Sequence, residues 1–500
     1  MSETKHIIEK VFVDVNTKSA EKGYFIKNNI SAFFRDEIFP LIEKLFDSFD
    51  AGNEIIRFEN MKIDLQIKKW NNTEEIKSGI ETSFKKNFAA EIKEFKSKTK
   101  NKLPQSATKL SVEDSMEASF FHFLEKGYLP WFGKEEYLAE ISKPEKWKET
   151  ILRNSFTKRL SSVLVISEEI ILRFVSQFPD EIIIILLSEV SSSLRTLKNE
   201  TLALIKLLSI EERNLFLKFL IELSLKTGQT SGEKTLLELI NHLSVSQTDE
   251  TVFSLNSFRK YIGKLKFGNA YSNKAISEFV NPKDAVSVPK RLINGNSLNG
   301  SKNGTKSWLK EEMLSNHTEI VKRQITKDGF FESGINEVSV SNAGLIILHP
   351  FLKYFFLELG ILNQQDQMIE NRKLLAVQSL HYLATANENV FESSLVFEKF
   401  LCGIPLNKTL SKNSVLTTEI KAETDNLLSA TIKNWPALKS TSPSGLRELF
   451  IQREGKLIVK NGKCKLLVER KPQDILLEKL SWNISVIKLP WKKDLLMVDW

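Results

Sequence analysis

Apolar positions along this chain change period several times, and the changes mark out its parts. In residues 7–15, IIEKVFVDV, Val11, Val13 and Val15 alternate with Phe12 and Asp14, the period-two signature of a strand. Thr17 or Ser19 is placed to cap a following helix, in which Phe25, Ile26, Ile30, Phe33 and Phe34 recur at helical spacing. Pro40 predicts a kink or a break, after which Leu41, Ile42, Leu45 and Phe46 continue the same face. A second strand is expected over 55–67. Its parity slips between Ile56/Phe58 and Met61/Ile63/Leu65/Ile67, so a β-bulge near Asn60 is expected to keep both sets buried. A charged amphipathic helix at about 73–97 completes a small N-terminal α/β module, residues 1–97.

Residues 98–112 are polar, carry Pro104 and read as a linker. Helix follows helix over 113–244. IILRFVSQFPDEIIIILLSEV, LKNETLALIKLLS and EERNLFLKFLIELSLK are apolar round much of their circumference, which predicts packing against each other or against copies of the chain. This middle region is where an excess of apolar faces, and hence a partner, is expected. Residues 245–339 are poorer in apolar periodicity, and the Asn-, Gly- and Ser-rich stretch 286–308 predicts a flexible polar linker.

Order is expected again over 340–500, as an α+β domain. Phe351, Leu352, Phe355, Phe356 and Leu359 form a helical face stopped by Gly360, and further helices are predicted at about 371–386 and 418–433. Ser442 caps a helix with Pro443 at its first position. LIVKNGKCKLLVER reads as a hairpin turning at Asn461-Gly462. A helix at about 472–480 and strands at about 483–489 and 495–499 follow. Trp482, Trp491 and Trp500, at equal intervals, are expected as core and edge-covering residues of that sheet. The fold class is therefore α+β: a mainly α-helical multi-domain chain with a small N-terminal α/β module and a C-terminal α+β domain containing a β-hairpin.

Composition changes this picture little. The 500 residues are 41% hydrophobic and 27% charged, ordinary for a globular chain. Phe is abundant, 33 against 7 Tyr, so most rings belong in cores or dry interfaces. Net charge is +8, yet the 71 basic and 63 acidic residues are interspersed, with no basic-aromatic array of the kind that binds nucleic acid. Cys402 and Cys464 are the two cysteines, which predicts a reducing compartment and no disulfide framework. The start, MSETKHIIEKVFVDV, lacks the apolar core of a signal peptide. The run IIIILL at 182–187 is far below the roughly 20 residues a spanning helix needs. Synthesis in the cytosol without membrane insertion is expected.

Catalytic chemistry is sparse. Gly295 and Gly300 have phosphate-loop separation, but Ser301 stands where lysine is required, and Gly304-Thr305-Lys306-Ser307 misses likewise. His6, His122, His242, His317, His349 and His381 make no i, i+4 pair and no H-E-x-x-H. His349, before Pro350, is expected as a partly buried structural histidine. G-x-S-x-G is absent. No catalytic, cofactor-binding or metal residue is assigned.

Several stretches carry a resemblance. HIIEKVFVDVNTKSAEKGYFIKNNISAFF, FLEKGYLPWF at 123–132, NAGLIILHPFLKYFFLELGIL at 342–362 and LCGIPL at 401–406 are similar to elements of the tape measure proteins of bacterial contractile injection systems. The C-terminal strings NWPALKSTSPSGLRELFIQREGKL, VERKPQDILL and WNISVIKLPW resemble them most. The resemblance implies a non-enzymatic structural and assembly protein, without cofactor, that lies in the inner-tube lumen of a phage-tail-like particle and sets tube length. It implies the inner tube protein, the baseplate hub or spike and the tube cap as partners, several copies per particle, and residence in the bacterial cytoplasm during assembly and then within the particle. A baseplate or tube-assembly scaffold that does not measure is the alternative. Trp435, Phe450, Trp482, Trp491 and Trp500 are the candidate partner-docking residues. A free form with its helices folded back and a lumenal form with them opened are expected.

Overall fold

The structure, a computed structural model, describes residues 8–9, 11–48, 55–58, 61–67, 72–97, 107–225, 229–245, 249–265, 279, 337–410, 416–438, 440–460 and 463–500. Residues 1–119 with 131–133 form one compact unit, and residues 120–130 with 134–500 a second.

The first unit opens on a segment that departs from expectation. The described residues of 7–15 belong to no strand; Val11, Val13 and Val15 are exposed, and Phe12 is 84% exposed. Alternation supplies two faces, but a strand also needs a neighbour for its backbone groups. Among the described residues no named strand pairs with this segment. Ser19 caps α1 (Ala20–Phe33), its hydroxyl accepting from the Lys22 N–H. Pro40 does not break the helix. A π turn, Phe34–Ile38, widens the backbone immediately before α2 (Phe39–Asp47). That turn makes room for the ring and uses the missing donor where ladder bonds are already displaced.

The strand predicted over 55–67 is shorter than its pattern. Only β1 (Ile55–Phe58) is formed, while Met61, Ile63 and Leu65 pack against α2 and α3 (Thr73–Ser97). The bulge expected near Asn60 lies outside the described residues. β1 pairs antiparallel with β2 (Ala107–Leu110), inside the segment read as a linker, because an isolated short strand must find a second edge. Ile38, Ile76 and Ile80 form one small core, and Leu45, Phe84 and Phe88 another.

In the second unit the central helices run from α4 (Val112–Lys126, from Phe120 onward) through α5 (Glu135–Ile141), α6 (Pro144–Ile151), α7 (Asn154–Leu164), α8 (Glu168–Gln177), α9 (Asp180–Val190), α10 (Ser192–Thr196) and α11 (Lys198–Ile205) to α12 (Ile210–Leu225) and α13 (Gln229–Val245). Most of their large apolar side chains are covered within the chain, while Leu152, Val165, Ile166 and Leu207 at helix ends stay exposed. Ile182, Ile183, Leu186 and Leu187 of α9 and Phe216, Leu217, Phe219 and Leu220 of α12 are all buried. Phe120, Phe156, Phe174 and Trp147 form an aromatic nest with ring centroids 5.6–6.0 Å apart from Trp147. The excess of apolar faces expected from sequence is thus met intramolecularly: short helices of this kind bury one another by folding back.

The polar region expected at 245–339 begins with order. α14 (Asp249–Lys264) buries Phe258, Tyr261 and Ile262, and the Tyr261 hydroxyl lies 2.7 Å from Thr201 Oγ1. The Asn/Gly stretch at 286–308 lies outside the described residues. At its other end β3 (Glu337–Val340) is already a strand of the C-terminal sheet.

That sheet has five strands in the order β3-β4-β5-β7-β6, with β4 (Gly455–Lys460), β5 (Lys463–Val468), β6 (Val486–Lys488) and β7 (Leu495–Asp499). All neighbours are antiparallel except β5 and β7, which are parallel. Lys460 faces Lys463, so two residues connect the hairpin; the turn pair Asn461-Gly462 lies outside the described residues. The inner face, including Leu457, Val459, Leu466 and Leu496, shares one buried core with the 3-10 helix Ala343–Leu348 and the helices His349–Glu358, Lys373–Thr385 and Thr418–Asn434. Ser442 caps its helix with Pro443 at the first position, its hydroxyl accepting from the Gly445 N–H. The helix expected at about 472–480 is formed as a 3-10 helix over residues 472–479. One of its carbonyls, Leu476 O, accepts from the indole N–H of the buried Trp435, 3.1 Å away.

Candidate functional site

Gly127 stands in the GYLPW element at the end of α4, with φ +82, a conformation that favours glycine. A Cβ there would lie 2.8 Å from Glu392 Oε1, 3.0 Å from Arg173 Nη2 and 3.0 Å from the Leu406 carbonyl oxygen. The glycine therefore roofs a buried polar junction. Arg173, from α8, donates from Nη1 to Leu124 O at 2.6 Å, from Nη2 to Asn407 O at 2.5 Å and from Nε to Glu392 Oε1 at 3.3 Å. Lys399, from the helix Val396–Leu401, donates from Nζ to Glu392 Oε1 at 2.6 Å and to the carbonyls of Leu406 and Lys408. The side chains of Arg173, Glu392 and Lys399 are 1%, 0% and 1% exposed.

Gln177, one helical turn beyond Arg173, extends the junction. Its Oε1 accepts from the Glu392 N–H at 2.9 Å and its Nε2 donates to Leu410 O at 3.0 Å. At the rim Glu169 accepts from Lys408 Nζ and the Thr409 N–H. Burial alone raises its carboxyl, but these donors outweigh it and hold the group below the usual carboxylate range. Burial holds the Lys399 ammonium below the ordinary lysine range, with Glu392 working against that shift. Two cations share one carboxylate, and the surplus charge is dispersed over carbonyl oxygens. The groups are paired with one another and excluded from water, so the junction holds elements together and presents no reactive atom.

A second cluster forms around the Asn-Ala-Gly element. Asn342 is buried and its Nδ2 donates to Glu398 Oε1 at 2.7 Å; His381 Nδ1 lies 3.3 Å from the same oxygen. Ala343 N–H donates to Arg453 O at 2.9 Å. A Cβ on Gly344 would lie 1.7 Å from the Phe450 carbonyl oxygen, so the two backbones touch. Arg453 is fully buried and donates to Asp474 Oδ1 at 2.7 Å, and Asp474 Oδ2 accepts from the Trp500 indole N–H at 3.0 Å. The elements NAG, QREG, KPQD and Trp500 are thereby one connected network.

The five aromatic residues expected to dock partners fall into two groups. Trp435 and Phe450 are 0% exposed, their rings 4.8 Å apart, and lie inside the C-terminal core. Neither presents a face to a partner in this state. Trp482, Trp491 and Trp500 are partly buried, and their indole N–H groups donate to Ile347 O at 2.9 Å, Leu401 O at 2.8 Å and Asp474 Oδ2 at 3.0 Å. They cover the core, as the sheet-edge reading expects. Sequence reasoning missed Arg173, Glu392 and Lys399, since nothing local distinguishes three charged residues among more than a hundred others. Gly127 is legible in the sequence as part of the FLEKGYLPWF string, and its closeness to the junction is not.

Other chemistry is equally closed. Burial pushes the Cys402 thiol well above its ordinary range, the wrong direction for a nucleophile. His122 and His349 are both lowered to about 4, by burial and, for His122, by Lys126 as well. Among the described residues no group of three His, Cys, Asp or Glu side chains could hold a metal ion, and no helix is long and apolar enough to cross a membrane.

The chain matches no curated protein and no solved structure. A family model, that of the contractile injection system tape measure protein, matches residues 5–500, from the exposed N-terminal segment through both buried junctions to Trp500. The chain belongs to the tape measure protein family of contractile injection systems, whose members determine tube length.

Proposed function

We propose that this chain sets tube length as a structural component, not as a catalyst, and that it enters assembly folded and opens in the tube lumen. The observation that carries this is the junction at Arg173, Glu392 and Lys399, which joins the helices to the C-terminal domain through ionic groups. A compact domain of about 300 residues has a radius of gyration of only about 19 Å. As one continuous helix, residues 135–264 would reach about 195 Å at about 1.5 Å per residue. A ruler therefore gains most of its reach by unpacking these helices from the C-terminal domain. Charged groups released from such a junction are rehydrated, whereas an all-apolar seam would be left exposed to water. The tube wall would cover the helices once opened.

The partners proposed are the inner tube protein, the baseplate hub or spike and the tube cap, met first in the cytoplasm and then within the particle. The test is particle length in electron micrographs. Deleting or duplicating whole helices within 134–264 is expected to shift length in proportion. Unchanged lengths would exclude this segment as the ruler. Loss of particles, or scattered lengths, would favour a scaffold that starts the tube without measuring it.

A further inference from the structure

The C-terminal sheet packs its inner face on the core, and among the described residues no element lies over its outer face. The register aligns one outward row across all five strands: Glu337 faces Ile458, Ile458 faces Lys465, Lys465 faces Met497, and Met497 faces Val486. Val486, Leu495 and Met497 are each about half exposed. A sheet covered on one side only, as this mainly antiparallel one is, ordinarily places polar residues outward. Here β6 and β7 place three large apolar side chains there, beside the outward-facing Lys460, Lys463, Lys465 and Lys488, the last of which donates from Nζ to the Lys493 carbonyl. Asp499 is already engaged by Lys465 and Arg470.

We propose that this outer face is a docking surface for an acidic protein surface of the particle, an apolar patch on that partner seating on Val486, Leu495 and Met497 while its carboxylates meet the lysine rim. Charge complementarity selects this occupant, because a second copy would bring its own lysines against these. Single-stranded nucleic acid would call for stacking aromatics, and this face has none among its outward residues. The proposal rests on the chain's family membership and not on the opening of the helices.

The test places a photo-crosslinking amino acid at Met497 in the full chain, co-produced with the other particle proteins, with the same group at Tyr354, 72% exposed on another element, as the comparison. The expected result is an adduct at Met497 to a carboxylate-rich peptide of one particle protein. Its yield should fall about tenfold or more in the K460E/K463E/K488E variant or at 1 M salt. These substitutions lie on exposed positions, and an unchanged thermal melt confirms that the fold survives. Particles that assemble without any Met497 adduct would overturn the proposal. So would an adduct to residues 266–336 of the same chain, or retention of the purified chain on phosphatidylglycerol vesicles or duplex DNA through the same lysines. Particle length is a separate readout, so failure here leaves the measuring role standing.

Discussion

Arg173 and Glu392 are 219 residues apart in sequence, yet Arg173 Nε lies 3.3 Å from Glu392 Oε1 with both side chains shut off from solvent. Lys399 reaches the same oxygen from the other side. Burying three charges is unfavourable unless each is met, and here every one is. The helical region and the C-terminal domain consequently share one compact unit.

Removing the shared anion should be costly. Glu392→Gln leaves Arg173 and Lys399 without a counter-charge, and a loss of about 3–5 kcal/mol is expected in urea denaturation. Adding Lys399→Met should recover part of that loss, because the double variant buries one cation fewer. Equal stability of the single variant and the native chain would show that the junction contributes nothing to holding the elements together.

Glycine positions separate strain from crowding. Gly360 has φ +62 with nothing within 4 Å of a built Cβ, so Gly360→Ala should cost only about 1 kcal/mol. Gly127→Ala adds contacts at 2.8–3.0 Å to the same backbone penalty and should cost clearly more. Gly344→Ala, with the Phe450 carbonyl oxygen 1.7 Å away, should abolish the native C-terminal packing. Melting temperatures in the order Gly360→Ala, Gly127→Ala, Gly344→Ala, highest first, are expected.

The tryptophans can be tested through their donors. Trp482→Phe keeps an aromatic ring edge-on to Phe351 but removes the bond to Ile347 O, for an expected loss of about 1 kcal/mol. Trp500→Ala also uncovers Arg453 and Asp474 and should cost about 2–3 kcal/mol, read by chemical denaturation.

Acid should weaken the second unit through its histidines. His122 and His349 sit at about 4 in the folded chain against 6.5 unfolded, so the unfolded chain binds more protons between those values. Their contribution is present in full above pH 6.5 and is lost as pH falls toward 4. Replacing both with Leu should flatten the dependence of the melting temperature on pH between 6.5 and 4. An unchanged slope would assign acid sensitivity to other groups.

Much of the C-terminal domain was legible, because its signals are local. A serine before a proline capped its helix, and alternation over 455–468 made its hairpin. Local signals failed where a second segment decides. Val11, Val13 and Val15 alternate as a strand should, but alternation supplies no neighbour. Residues 107–110 carry no strong pattern, yet they pair because β1 offers an edge. The family elements were readable as strings of residues without a stated reason for them. The reason lies in contacts the chain makes with itself: Gly127 over Glu392, Gly344 against Phe450, Trp500 on Asp474.

The sequence by itself determined the helical character of residues 113–244, the α+β character of 340–500 and the lack of catalytic motifs, since each follows from period, composition or spacing along a short stretch. Tertiary structure decided that the apolar helices cover one another, that Trp435 and Phe450 are buried, and that Arg173, Glu392 and Lys399 meet. Burial and charge pairing depend on which distant segments come together, and no local window of residues carries that information.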